Sequence, residues 1–287
     1  LRPVPTYLGQ PDIGGRYFYD ASMRGFNFER RNIPLSASID KLLEQRQAAQ
    51  PLGIYAGATS AADVLKGFAA ANPMPLVGTN VLPLLWLGNS ARIAPHFDTS
   101  ENIACAVAGK RRFLIFPPDQ IDNLYAGPID HNMAGPPASL VDPLHIDLMK
   151  YPKFETAIKS AILAELDPGD ALYLPSLWWH YVESSGPLNV LVNYWWSTLE
   201  NSDPMSNIAL AILTLRDLPA PERAAWQHYF NHYIFDANGV NYLIDKVSMD
   251  FLKESKLEYV TELSGSYFKI ENPNATANCG CGTSFSI

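Results

Sequence analysis

Cysteine is scarce. The chain has only Cys105, Cys279 and Cys281, too few for a disulfide framework, and this sparing use of thiols makes a reducing, cytoplasmic compartment the expectation. Positive charge is also short: 21 Lys and Arg face 29 Asp and Glu, for a net charge of −8. A generally basic nucleic-acid surface is therefore not expected, although a local patch stays open. No apolar run approaches the roughly 20 residues that a membrane-spanning helix needs. The longest, Val81 to Leu87, is interrupted at Pro83, so no membrane partner is expected. The first residues, Leu-Arg-Pro-Val-Pro, hold neither an apolar signal core nor an initiator Met, so export is not expected and native residues ahead of position 1 are allowed for. Internal repeats and low-complexity segments are lacking as well.

Apolar and aromatic surface is plentiful. Hydrophobic residues make up 47% of the 287 and charged residues 17%, with 14 Tyr, 13 Phe and 6 Trp, a composition that can offset its ordering entropy by burial. The length suits one large or two modest domains. Residues 1–35, rich in Pro, Gly and aromatics, read as an arm or short strands, with Arg30-Arg31 in a solvated turn. Ser36 to Ala49 reads as a helix capped by Ser36 or Ser38, with Ile39, Leu42 and Leu43 at helical spacing. Ala61 to Ala71 is a second helical stretch, stopped by Asn72-Pro73.

From Val81 onward, short apolar runs alternate with Gly, Pro, Asn and Asp, the texture of a barrel or jelly roll. Four strands stand out: Ile103 to Ala108, Arg111 to Phe116, Ala171 to Leu174 and Val190 to Trp196. Gly109-Lys110 is expected to turn tightly between the first two, and Asp167-Pro-Gly-Asp170 to lead into the third. Pro152 to Leu166 has helical periodicity. Helices are expected again over Met205 to Leu215, Pro221 to Phe235 and Val240 to Leu252. The fold class is therefore mainly β with flanking helices.

The chain has six histidines, and a His-x-acid triplet is expected by chance less than once. Two occur, His96-Phe97-Asp98 and His145-Ile146-Asp147. Side chains two apart share a face only on extended backbone. His96 follows Ile93-Ala94-Pro95 and leads into a strand, whereas His145 precedes a helical stretch, so the first triplet is the candidate metal pair and the second is read as loop. A third ligand must come from elsewhere. His180 lies in the aromatic run Leu174-Pro-Ser-Leu-Trp-Trp-His-Tyr-Val, and spacing alone leaves it either a ligand or a core histidine beside Trp178 and Trp179. Two imidazoles and one carboxylate leave three open positions on an octahedral ion, which suits non-haem Fe(II) and oxygen chemistry; zinc prefers a tetrahedral set.

These motifs, with Asn102, Gly109-Lys-Arg-Arg-Phe-Leu-Ile-Phe-Pro-Pro118, Asp167-Pro-Gly-Asp-Ala-Leu-Tyr-Leu-Pro175, Trp178-Trp-His180 and Asn193-Tyr-Trp195, resemble the JmjC-type cupin dioxygenases. Within that family they resemble the branch of the asparaginyl hydroxylase that inhibits hypoxia-inducible factor. The resemblance covers about residues 50 to 197. It implies a double-stranded β-helix (jelly roll) that binds Fe(II) and the cosubstrate 2-oxoglutarate and uses O2 to hydroxylate a C–H bond, with a protein or peptide side chain as the expected substrate. It implies His96, Asp98 and His180 as iron ligands and catalytic centre, with Tyr55, Asn102, Asn193 and Trp195 around the cosubstrate. Where that hydroxylase pairs a lysine with the far carboxylate, this chain has Arg111, preceded by Lys110. Alternation places Arg111 with Phe113 and Ile115, so Arg111 is favoured; its planar fork suits a carboxylate but is not equivalent to lysine. Ile93 stands where the family has a threonine hydroxyl. Relatives dimerise through C-terminal helices, so the expected division is a JmjC/cupin-like catalytic domain over 1–200 and a helical extension with a flexible tail over 201–287, residues 205–252 being the homodimer candidate.

On one face of the Ile103 strand, Asn102, Ala104, Ala106 and Ala108 leave room for a ligand or for a close-packed helix; on the other, Cys105 reads as a core thiol. Cys279-Gly-Cys281 reads as a mobile tail in preference to a metal pair, and His228 and His232 as a packing or dimer face. Two other functions stay in view: oxidation of a small molecule or modified nucleoside, and a cupin module that holds metal without turnover, the latter favoured by Ile93.

Overall fold

The structure, a computed structural model, describes residues 2–129, 131–133, 135–197, 204–235, 255–262, 265–278 and 285–286. It falls into two compact units, residues 1–212 and 213–287. In the first, one ten-stranded sheet contains β1 (Pro3–Gly9), β2 (Arg16–Tyr17), β3 (Phe28–Pro34), β4 (Gly53–Ser60), β5 (Pro83–Gly88), β6 (Ala91–His96), β7 (Glu101–Phe116), β8 (Ile162–Leu166), β9 (Ala171–Leu174) and β10 (Trp179–Trp196). Their order is β2-β6-β10-β5-β4-β1-β3, with β7 pairing β10, β8 and β9. This nearly closed, mainly β arrangement is the jelly-roll core expected from the residue pattern.

β7 and β10 are long enough to serve both halves of the roll. β10 pairs β6 over His180–Ser184 and β5 over Asn189–Tyr194, while β7 pairs its other edge over Trp179–Ser185 and Val190–Trp196. The expected hairpin at Gly109-Lys110 does not form, and the two strands read there are one continuous strand. Gly109 takes a left-handed φ of 73° opposite an excursion of β10 over residues 186–189, which is a bulge. An added Cβ at Gly109 would run into the Asn189 amide, with Asn189 Cγ 2.7 Å and the Leu188 carbonyl oxygen 2.8 Å away.

The helices also depart from the sequence pattern. α1 (Leu35–Gln45) buries Leu35, Ser38 and Leu42, while Ile39 and Leu43 are exposed. Ser38 does not cap the helix; its hydroxyl lies 3.2 Å from that of Thr6 under β1. Leu42 packs with Val4, Ile54, Leu85 and Val192, and a fully buried leucine contributes about 1.5–3 kcal/mol. The Ala-rich stretch breaks at Gly67 (φ 80°) into α2 (Ala61–Val64) and α3 (Phe68–Ala71). Pro152 to Leu166 divides into α4 (Phe154–Lys159) and strand β8, because Ile162 and Leu166 find ladder partners on β7. Arg30 and Arg31 lie within β3 and not in a turn; the Arg30 guanidinium stacks 4.7 Å over Phe26.

Beyond the core, α5 (Pro204–Leu215) and α6 (Ala220–Phe230), which runs into a π turn at Asn231–Phe235, match the helices expected there. The helix expected over Val240 to Leu252 lies outside the described residues. After it, where a flexible tail was expected, the described residues are stranded: β11 (Lys256–Glu262) and β12 (Gly265–Glu271) pair antiparallel, as do β13 (Ala277–Asn278) and β14 (Phe285–Ser286). Tyr259 and Val260, opposite Phe268 and Tyr267, are residues that favour strands. Among the described residues, no helix is long and apolar enough to cross a membrane.

Candidate active site

The centre of the site is set by one register pairing. His96, the last residue of β6, is the cross-strand partner of His180 near the start of β10, and their rings lie 4.4 Å apart. Asp98 lies two residues later, its backbone carbonyl accepting the Leu177 amide at 2.8 Å, so the segment is tied to the residues that lead into β10. Phe97, between the two, turns the other way and packs edge-on against Trp179 at 5.0 Å. The alternation that sends Phe97 and Trp179 into the core sends His96, Asp98 and His180 to the opposite face.

One ligand atom from each of His96, Asp98 and His180 lies within 4.8 Å of the others, and no other group of three metal-type side chains converges among the described residues. Both imidazoles are held from behind. His96 Nδ1 contacts the Ala94 carbonyl at 2.8 Å and His180 Nδ1 the Trp178 carbonyl at 3.0 Å. A carbonyl only accepts, so each Nδ1 carries the proton and each Nε2 is the nitrogen left to face an ion. His180 Nε2 lies 3.6 Å from Asp98 Oδ2. Burial, and then the His96 imidazole, draw the His180 pKa from 6.5 down to about 4, so at neutral pH it has the uncharged form that ligates a metal. Two imidazoles and a carboxylate on one wall fit a non-haem ferrous ion.

A cavity of about 290 Å³ opens beside this group, lined among others by Tyr55, Trp86, Ile93, Asn102, Arg111, Phe113, Asn193 and Trp195. That is near the lower end of the range for small-molecule sites. Arg111 is 4% exposed. Its partner is the Tyr55 hydroxyl, its Nε has no partner, and no carboxylate pairs with it among the described residues. Burial lowers its pKa against the opposing influence of Tyr55, and burial pushes Tyr55 up to about 12, so the pair is a cation beside a neutral phenol. Lys110 instead points outward to Asp167 at 3.0 Å. The bulge at Gly109 is what allows this choice. Asn102 and Ala104 line the cavity ahead of it and Arg111 and Phe113 after it, an even-to-odd change of phase that a regular strand does not permit.

Asn193 and Asn102 face each other across β10 and β7. Asn193 donates from Nδ2 to Asn102 Oδ1 at 3.1 Å and accepts from Trp86 Nε1 at 2.7 Å. Trp195 stands edge-on to Trp86 at 5.8 Å. Trp86 was missed in the sequence because Pro83–Gly88 reads as an apolar core run; only the alternation of Leu85 and Leu87 against Trp86 could have marked it. Of the small residues on β7, Ala104 lines the cavity, whereas Ala106 packs in the core with Leu166 and Leu191.

Residues 2–202 match the cupin-like domain family. This chain belongs to that family, in its JmjC-type branch. Similar proteins include the Jumonji C domain-containing protein 5 of Drosophila melanogaster, 36% identical over 105 residues (36% of this chain, 24% of that protein), and the lysine-specific demethylase JMJ31 of Arabidopsis thaliana, 33% identical over 115 residues (38% and 20%). The chain spans about a quarter or less of the length of these relatives. Residues 231–283 separately match an iron-sulphur cluster biosynthesis family. Over 54 residues this part is 46% identical to iron-sulfur cluster insertion protein ErpA 2 of Methylococcus capsulatus (19% of this chain, 42% of that protein).

Within the first unit of this cupin-like chain, His145 and Cys105 are not among the residues that line the cavity. His145 is exposed, 3.2 Å from Asp142, and Asp147 Oδ1 accepts the Met149 and Lys150 amides in a turn. Cys105 is partly buried, free and packed beneath β4 and β5, and burial raises its pKa. His228 and His232 are exposed. Cys279 and Cys281, expected to form a mobile tail, lie outside the described residues but inside the iron-sulphur match.

Proposed function

We propose that this chain is an Fe(II)- and 2-oxoglutarate-dependent oxygenase that oxidises a C–H bond of a protein or peptide side chain. One observation carries the reading: a buried guanidinium with no anionic partner among the described residues shares a cavity with two imidazoles and a carboxylate that converge. In this reading His96, Asp98 and His180 hold the ion, which when bound supplies oxygen activation. Arg111 anchors the far carboxylate of the oxoacid with Tyr55 beside it, Asn102 and Asn193 border the cosubstrate, and Trp195 walls the pocket. Ile93 excludes water from that end and offers no hydrogen bond. The test is succinate release from 2-oxoglutarate with Fe(II) and O2. Metal binding without succinate would overturn the reading in favour of a binding module. Hydroxylation and demethylation, the activity named for JMJ31, are separated by the product, since only demethylation releases formaldehyde.

The segment 231–283 favours a second activity alongside the first. We infer that it handles an iron–sulfur cluster, with Cys279 and Cys281 as thiolate ligands. Clusters of this kind take four thiolates, so two copies of the chain are required. Anaerobic reconstitution is expected to give a cluster that Cys279→Ser and Cys281→Ser abolish; an unchanged visible spectrum in those variants would refute this assignment.

A further inference from the structure

We infer that Trp86 is a positioning residue that makes the inner wall of the pocket a hydrogen-bond donor, an inference that rests on the oxoacid reading of the site. An asparagine amide can face either way, but an indole N–H only donates. Trp86 Nε1 lies 2.7 Å from Asn193 Oδ1, so the Asn193 carbonyl must face the indole and its NH2 group must face Asn102. Asn102 Oδ1 accepts from it at 3.1 Å, and the Asn102 NH2 group is the end left over. That group has no protein partner among the described residues, and Asn102 lines the cavity. One fixed donor at the start of the relay therefore decides the sign of its last member.

The indole is held firmly enough to impose this order. Its ring lies 5.9 Å from that of Tyr55 and edge-on to Trp195 at 5.8 Å. On a third side it covers Gly57, where an added Cβ would come within 2.7 Å of two ring carbons. Asn193 and Asn102 are 1% and 6% exposed, so water does not compete for their amides. With the Arg111 guanidinium also in the cavity, the Asn102 amide and Arg111 present donors away from the His96, Asp98 and His180 group. That complements a dicarboxylate and disfavours a ligand carrying an ammonium or amide N–H at that end. If the indole N–H is removed, both amides can turn over and present a carbonyl oxygen to the same ligand.

The experiment is calorimetric titration of 2-oxoglutarate into the full chain loaded with Mn(II), a redox-inert stand-in, in four proteins: wild type, Trp86→Phe, Asn102→Ala and the double variant. Phenylalanine keeps a ring against Tyr55 and Trp195 and deletes only the donor. Trp86→Phe is expected to weaken 2-oxoglutarate about five- to tenfold, the net worth of roughly one hydrogen bond, with Mn(II) affinity unchanged. In the Asn102→Ala background the same substitution is expected to change affinity less than about twofold, because the relay no longer has an end. Equal losses in both backgrounds, a fall in Mn(II) affinity, or no loss at all would overturn the inference while leaving the oxygenase reading intact. A wild-type protein that takes Mn(II) but no 2-oxoglutarate would sink both. Should Trp86→Phe not fold, Asn193→Leu cuts the relay at its middle link, with the same loss expected and an unchanged affinity refuting it.

Discussion

Replacing Arg111 by Met should stabilise the metal-free, ligand-free protein and abolish its response to 2-oxoglutarate. The guanidinium is 4% exposed, with an unpartnered Nε and, among the described residues, no carboxylate paired with it. Holding an ion in such a place costs several kcal/mol after relaxation. Methionine fills much of the same volume without charge, so that cost disappears, while the Tyr55 hydroxyl loses a partner at about 1 kcal/mol. The net gain is on the order of 2 kcal/mol, which for a chain of this size raises Tm by about 4–8 °C. The ligand side has the opposite sign. A bidentate, charge-assisted pair with a carboxylate is worth about 3–5 kcal/mol, or roughly 10²- to 4 × 10³-fold in Kd. Thermal unfolding with and without the oxoacid reads both: a ligand present at about 100 Kd adds roughly 2.7 kcal/mol to the wild type and should add nothing to the variant. If Arg111→Met instead lowers the Tm of the empty protein, or keeps the ligand-induced rise, the cation is a structural element and Arg111 is no anion receptor.

The metal site, the bulge and the proton balance each give a further expectation. Asp98→Ala should lose most Fe(II) affinity and all succinate release, whereas His145→Ala should leave metal binding within about twofold, read by competition with a chromophoric chelator. Gly109→Val should destabilise the core by about 2–4 kcal/mol, from the left-handed backbone and the clash with Asn189 and Leu188, measured as a shift in urea midpoint at constant slope; an unchanged midpoint would show that the bulge relaxes freely. The chelator-treated protein should lose stability as pH falls from above 6.5 toward 4. His180, facing His96 and Asp98, titrates near 4 when folded and near 6.5 when unfolded, so the unfolded chain takes up more protons in that window. His180→Gln should flatten the slope; an equally steep slope in that variant would assign it elsewhere.

How much of this was legible in the sequence depended on whether a feature was local. The His96-Phe97-Asp98 triplet and the aromatic strand at His180 were readable because alternation on extended backbone is a property of neighbouring residues. Their meeting was not, since it comes from the register His96↔His180 across β6 and β10. Ile162 and Leu166 fitted a helix as well as a strand, and only ladder partners on β7 decided it. Trp86 was hidden by its company, a tryptophan among leucines with nothing local to separate a core ring from one whose N–H faces an asparagine on another strand.

Gly109 shows the same limit from the other side. Gly-Lys between two apolar runs is a strong local signal for a hairpin, and the left-handed glycine it implies is present. Whether the chain then reverses is decided by the partner strand. Because β10 loops out over residues 186–189 at that point, β7 continues instead of reversing; Gly109 faces that loop, and a second shift at Val190/Leu191 sets two steps of β7 against one of β10. This irregularity sends Lys110 to solvent, where it meets Asp167, and Arg111 into the cavity. The preference for Arg111 over Lys110 therefore survives the loss of the hairpin, because both geometries place the residue after the glycine unit on the face of Phe113 and Ile115. A bulge makes that placement depend on the count of residues, not on the turn. Deleting Gly109 should consequently move the following residues of β7 by one position, turn Arg111 outward and remove 2-oxoglutarate binding while His96, Asp98 and His180 keep their metal affinity. Loss of both together would mean that the two halves of the site are not built independently.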